Sequence, residues 1–147
     1  MSKGNAFETD LLEHIFNNTA IAGFGDAAGL PASATVGSLN VSLHSADPAE
    51  AGTQTTSELA YTGYARVAVA RTTAAWLVNT TNGSVSPVAA IEFPTSTGTG
   101  ATAHFFGVGT TSTGAGMLLY SGTAAPAVSI VPGTAPRLTT GTTITED

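Results

Sequence analysis

The segment LHSADPAEAGTQ, residues 43–54, sets His44, Ser45 and Asp47 almost side by side. A base, a hydroxyl and a carboxylate are the parts of a nucleophilic hydrolase site. Such a site needs the nucleophile held by the base, and the base held by a third group. Neighbours on one strand end meet that demand poorly, because successive side chains point to opposite faces. Pro48 follows at once, and Ser-Ala-Asp-Pro is an ordinary way to start a turn. We therefore read His44 as the last position of a strand, facing away from Leu43, and SADP as the turn that leaves it. No catalytic residue is assigned.

The other reactive types give no stronger pattern. His14, His44 and His104 have no diagnostic metal spacing, and there is no cysteine. No metal and no cofactor is expected. Glu58 and Glu92 stand too far apart in sequence to propose as an acid–base pair. GFGDAA, residues 23–28, fits the loose dinucleotide fingerprint by letter, but no strand precedes it and no convincing helix follows. Trp76 beside Leu77 and Val78 reads as core. Phe105 and Phe106 point to opposite faces; an exposed one would be an interface anchor, and a core position is the favoured reading.

Composition narrows the class. Of 147 residues, 42% are hydrophobic, so the chain can bury a core. Only 10% are charged, against ~25% in an ordinary soluble domain. Thr, Ser and Gly supply the polar surface instead, and Thr suits the wet face of a strand. The net charge of −6 and only four Lys and Arg residues argue against a nucleic-acid partner. No signal-like leader and no apolar run of membrane-spanning length is visible, so no membrane partner is expected, and synthesis in a cytoplasm is.

The elements that would position these residues are one helix and many short strands. In GNAFETDLLEHIFNN, Asn5 reads as an N-cap with Glu8 three residues on, a capping box. Phe7, Leu11, Leu12, Ile15 and Phe16 form an apolar stripe, and Asn17 and Asn18 end the helix. From residue 36 the period becomes two. LNVSLH turns Leu39, Val41 and Leu43 inward, and YARVAVAR, AWLV, AAIEF, HFFGVG, MLLYSG, AVSIV and RLTTGTTIT follow, with Asn82-Gly83 a hairpin signal. About eight short strands between Gly/Pro turns suggest an all-β, jelly-roll-like antiparallel β-sandwich behind one N-terminal α-helix. The expected division is a helix and linker over residues 1–35 and a sandwich over 36–147. Residues 45–63 form a long polar loop or arm within it, and loops of that length are often functional.

The stretch FGVGTTSTGAGMLLYSGTAAPAVSIVPGTAPRLTTGTTITED resembles a recurrent module of tailed-bacteriophage virion structural proteins. Gly107, Gly114, Gly116, Leu118, Leu119, Tyr120, Gly122, Gly133, Pro136 and Gly141 carry the likeness. LHSADPAEAGT, YTGYARV and NAFETDLLEHIF extend it over almost the whole chain. These motifs mark turns and core positions. Members are often labelled tail-fibre proteins, and similar small β proteins serve as capsid decoration or cement proteins.

The resemblance implies a non-enzymatic virion component. With one domain, no shaft repeats and no coiled-coil stalk, the expectation is a capsid decoration or cement protein on the capsid surface, bridging neighbouring shell subunits. Its partners would be the major capsid protein and itself, as a homodimer or homotrimer. The alternative is a tail-fibre or baseplate component contacting the host surface. A third reading, a hydrolase of cell-wall glycan, needs a paired acidic site that the chain does not display. The proposed interface residues are Phe7, Leu11, Leu12, Ile15 and Phe16 on the helix and Leu59, Tyr61 and Tyr64 on the arm. Packing within the protomer is the competing use of each.

Overall fold

The structure is a computed structural model and describes residues 2–146. It has one helix, α1 (Asn5–Asn17), followed by strands β1 (Ser38–His44), β2 (Val67–Ala70), β3 (Trp76–Asn79), β4 (Ser84–Pro87), β5 (Ile91–Glu92), β6 (Ala101–Gly109), β7 (Leu118–Ile130), β8 (Arg137–Leu138) and β9 (Ile144–Thr145). The expected all-β architecture behind an N-terminal helix is what the chain adopts. Its strands form sheets ordered β2-β1-β6-β7, β3-β4-β9 and β5-β8. These four-, three- and two-stranded sheets do not by themselves trace a jelly roll. Contacts group the residues into two units. One holds the chain up to Gly37, Ala70–Ala90 and the stretch from Thr139; the other holds Ser38–Val69 and Ile91–Leu138.

In the first unit, α1 packs on β3 and β4. Leu12 and Phe16 are fully buried there, and Phe16 meets the Trp76 ring edge-on at 4.9 Å. The capping expectation shifts by one residue. Gly4 is the N-cap, with extended backbone and no side-chain cap, and Asn5 is already helical. Asn18 ends the helix in the left-handed region at φ 54°, where its N–H donates back to Glu13 O. Arg71 then covers the last turn: its Nε and Nη2 donate to Ile15 O and His14 O, each at 2.6 Å. A cation on exposed helix carbonyls is favourable both as a hydrogen-bond donor and against the helix dipole. Residues 22–35 are more ordered than a linker. Ile21 and Leu30 exchange backbone bonds at 2.9 Å, Asp26 Oδ1 accepts from Ala28 N–H and Gly29 N–H, and Asn18 pairs twice with the Ser33 backbone.

In the second unit, β1 and β6 run antiparallel with Val41 opposite Val108 and Leu43 opposite Phe106. These side chains are buried, as the alternation predicts. MLLYSG and AVSIV, read as separate strands, are one strand, β7. Between them Pro126 lies inside an irregularity where residues 124–127 face only His104. Proline cannot donate to a ladder, so a bulge in an edge strand accommodates it without ending the strand.

Candidate functional site

The opening triad does not form, and a different arrangement takes its place. Every residue of β1 after Ser38 is buried, including Asn40, Ser42 and His44. The polar face of β1 was expected to look outward, so this is a correction. Alternation shows that a face differs from its opposite; it does not show whether something covers it. Here residues 53–59 fold back over that face. Gln54 is fully buried, and its Nε2 donates to Asn40 O at 3.2 Å. Across the strand pair, Ser42 lies opposite Gly107 and Asn40 opposite Gly109. A methyl at Gly107 would sit 2.7 Å from His44 Nε2 and 2.8 Å from Ser42 Oγ. At Gly109 it would strike the Gln54 side chain. The glycines of FGVG therefore make room for a buried polar layer.

His44 is bonded at both nitrogens. Nδ1 lies 2.8 Å from Thr56 O, so it carries the proton and donates to that carbonyl. Nε2 is then the acceptor for the Ser42 hydroxyl at 2.8 Å. Ser45 and Asp47 are elsewhere: Ser45 Oγ donates to Ser57 O, and Asp47 accepts from Ala49 N–H in its own turn. Ser42 and His44 resemble a nucleophile and base. Both are 0% exposed, and the third partner is a carbonyl instead of a carboxylate, so the arrangement is a buried hydrogen-bonded pair and not a hydrolase triad.

Burial lowers the His44 pKa below its ordinary 6.5, with the Thr56 hydrogen bond opposing in part. The unfolded chain then binds more protons than the folded one just below that pH. The resulting stability is complete above about 6.5 and is lost as pH falls below it toward the folded-state pKa. Melting temperature measured from pH 8 to pH 5 should fall below pH ~6.5. The difference between wild type and His44→Gln should shrink over the same interval. A constant difference would refute the assignment.

Beside this layer lies an ion pair. Arg66 Nε and Nη2 donate to Glu58 Oε1 and Oε2, both at 2.7 Å. The Arg66 side chain is only 3% exposed and that of Glu58 14%. Tyr64 Oη donates to Glu58 Oε1 at 2.9 Å and accepts from Leu43 N–H at 3.1 Å. Burial pushes the Tyr64 phenol well above its usual pKa, so it stays neutral. Arg66 also reaches the glycine-rich loop, residues 110–117, donating to Thr111 O at 2.9 Å and Gly114 O at 2.8 Å. Gln54 Oε1 accepts from Thr111 N–H at 2.9 Å. Arg66, held by Glu58, and Gln54 thus clamp that loop, while Met117 at its end is 67% exposed. None of the three was singled out as a functional residue from sequence.

The proposed interface residues divide. Leu12, Phe16, Leu59 and Tyr61 serve the protein's own packing, and each is at most 7% exposed. Phe7, Leu11, Ile15 and Tyr64 are half-buried. Tyr61 Oη donates to Pro94 O at 2.7 Å, and the Tyr64 ring stacks near Phe93. The three histidines lie on different elements: His14 on α1, His44 on β1 and His104 on β6.

A network of buried hydrogen bonds beneath a pinned surface loop holds a shape. Comparison with protein families agrees with that. The family described as podophage GP4 fiber I protein gp80 matches over residues 2–146. The chain belongs to this family. It is accordingly a tailed-phage virion structural protein of a fibre-related family. The Gp80 match favours the fibre reading over capsid decoration, which gains no support from it. No curated protein matches the chain. No helix among the described residues is long and apolar enough to cross a membrane.

Proposed function

We propose that the protein is a tail-fibre component of a podophage virion that acts by contact and assembly and not by catalysis. The family match over residues 2–146 carries this reading. The clamp under residues 110–117 supports it, because a loop ordered in advance loses less entropy when it meets a partner surface. The same holds whether that surface is the host cell or another fibre chain.

Antibody against the purified chain, imaged with gold on intact particles, tests the location. Label confined to the tail fibres is the expected result. Label spread over the head would return the capsid-decoration reading. Gel band intensity gives an independent check: a fibre chain is far scarcer than the major shell protein, whereas a decoration protein approaches it in copy number.

A further inference from the structure

The segment that covers the polar face of β1 is held mainly by hydrogen bonds. Residues 53–58, TQTTSE, carry no apolar side chain, and Leu59 alone is buried as one at the end. Leu59 N–H donates to Leu43 O at 2.9 Å, and Ser57 O accepts from Ser45 N–H at 2.8 Å. Gln54 Nε2 reaches Asn40 O, and His44 Nδ1 reaches Thr56 O. Bonds of this kind are exchanged for bonds to water on opening, so their net hold is modest. Ser57 adds strain, a residue other than glycine at φ 55°. The same segment holds the loop at 110–117. Gln54 N–H donates to Gly116 O at 3.1 Å, and Gln54 Oε1 accepts from Thr111 N–H at 2.9 Å. Glu58 orients Arg66, which donates to Thr111 O and Gly114 O. Order in the loop therefore depends on order in the segment.

We propose that residues 53–59 are an acid-released strap: a proton taken up by His44 lifts them off β1 and so frees the loop at 110–117. The inference stands apart from the fibre reading, because it concerns what orders the loop and not what the loop meets. His44 is the pin for a chemical reason. Its neutral ring satisfies both nitrogens, with Nδ1–H on Thr56 O and Nε2 accepting from the Ser42 hydroxyl. A proton from solvent must go to Nε2, which then can no longer accept. Ser42 Oγ can take the new N–H only by turning its own proton to Gly107 O. That carbonyl is 3.4 Å away, at the limit of a hydrogen bond.

The charge itself would sit on a ring with no exposure. Glu58, on the strap, attracts it, and Arg66 repels it, and these two are already paired with each other. Tyr64, bonded to Glu58, stays neutral. From β6 and β7 the neighbours are Gly107 and Leu118, neither of them ionisable. The closed site thus offers the imidazolium a compensated pair, whereas the open form offers it water. Opening therefore takes up a proton, and acid favours it.

The test is amide exchange on the full chain between about pH 7.5 and 5.5, above the usual carboxylate range, with the intrinsic pH dependence of exchange divided out. The reporters are the amides of Gln54, Leu59 and Thr111. Their opening constants should rise as pH falls below about 6.5, by up to ten-fold per unit. Urea below the unfolding midpoint should hardly change them, because lifting a strap exposes little surface. The β1–β6 ladder, which opens with the whole unit, should depend steeply on urea. His44→Gln keeps a neutral side chain and should make the three amides insensitive to pH. If that variant does not fold, the wild-type ring resonances decide: His44 should titrate at the midpoint where the three amides open. The proposal fails if the three amides ignore pH, or if they share the urea dependence of the ladder. It fails equally if their pH dependence persists in His44→Gln or proceeds without titration of the His44 ring. Thr111 staying protected while Gln54 and Leu59 open would also overturn it.

Discussion

Arg66→Ala should destabilise the second unit by about 3 kcal/mol, the low end of what breaking a buried ion pair costs. The low end applies because the Glu58 side chain keeps 14% exposure. The loss has two parts. Among the described residues Glu58 then keeps a carboxylate held by the Tyr64 hydroxyl alone, and the carbonyls of Thr111 and Gly114 lose their shared donor. Arg66→Lys should recover little, because an ammonium cannot reproduce the two parallel bonds of the guanidinium. Arg66→Met with Glu58→Gln should recover more than half, since no unpaired charge then remains. Urea unfolding gives the magnitudes, and amide exchange places the loss: residues 110–117 should lose protection first. An Arg66→Ala protein within about 0.5 kcal/mol of wild type, the usual range of a surface change, would mean that solvent replaces the clamp without cost.

That clamp shows where legibility in sequence ends. Leu39, Val41 and Leu43 reveal their burial by alternation, because a pleated strand with one apolar face has few other ways to sit. Asn40, Ser42 and His44 carry the same alternation, which by itself describes a solvated face. Their covering comes from Gln54 and Thr56, more than ten residues later, and no local pattern encodes it. Arg66 finds Glu58 across a tight turn, but it meets Thr111 and Gly114 only through the tertiary fold. A faint signal existed. In a chain with 10% charged residues, an Arg and a Glu eight positions apart in a Tyr-rich segment are costly to leave unpaired. The splitting of β7 into two strands has a different reason. Small residues and Pro126 separate the two apolar runs, yet an edge strand with a bulge absorbs them, and only pairing with β6 reveals that the strand continues. Motif resemblance succeeded where local rules ran out, because a strand glycine such as Gly107 records the close approach of the His44 and Ser42 side chains.

In the first unit the largest effect belongs to Phe16. Its side chain is fully buried, and its ring edge meets Trp76, itself 2% exposed. Phe16→Ala should cost about 3–5 kcal/mol from lost transfer energy and the cavity left behind. The aromatic pair contributes about 0.5–1.5 kcal/mol beyond burial alone. α1 has 13 residues, and a helix that short is marginal in water without a docking face. Loss of Phe16 should therefore abolish amide protection along α1 before the rest of the unit opens. Arg71 would still hold the carbonyls of His14 and Ile15, so the last turn should be the slowest part of the helix to exchange. Leu77→Ala is the matched control: it lies on the strand after Trp76 but is 61% exposed, so its change should stay within about 0.5 kcal/mol. Equal effects from the two substitutions would mean that the stripe on α1 does not dock as described, and would free Phe16 to be the partner contact that the sequence first suggested.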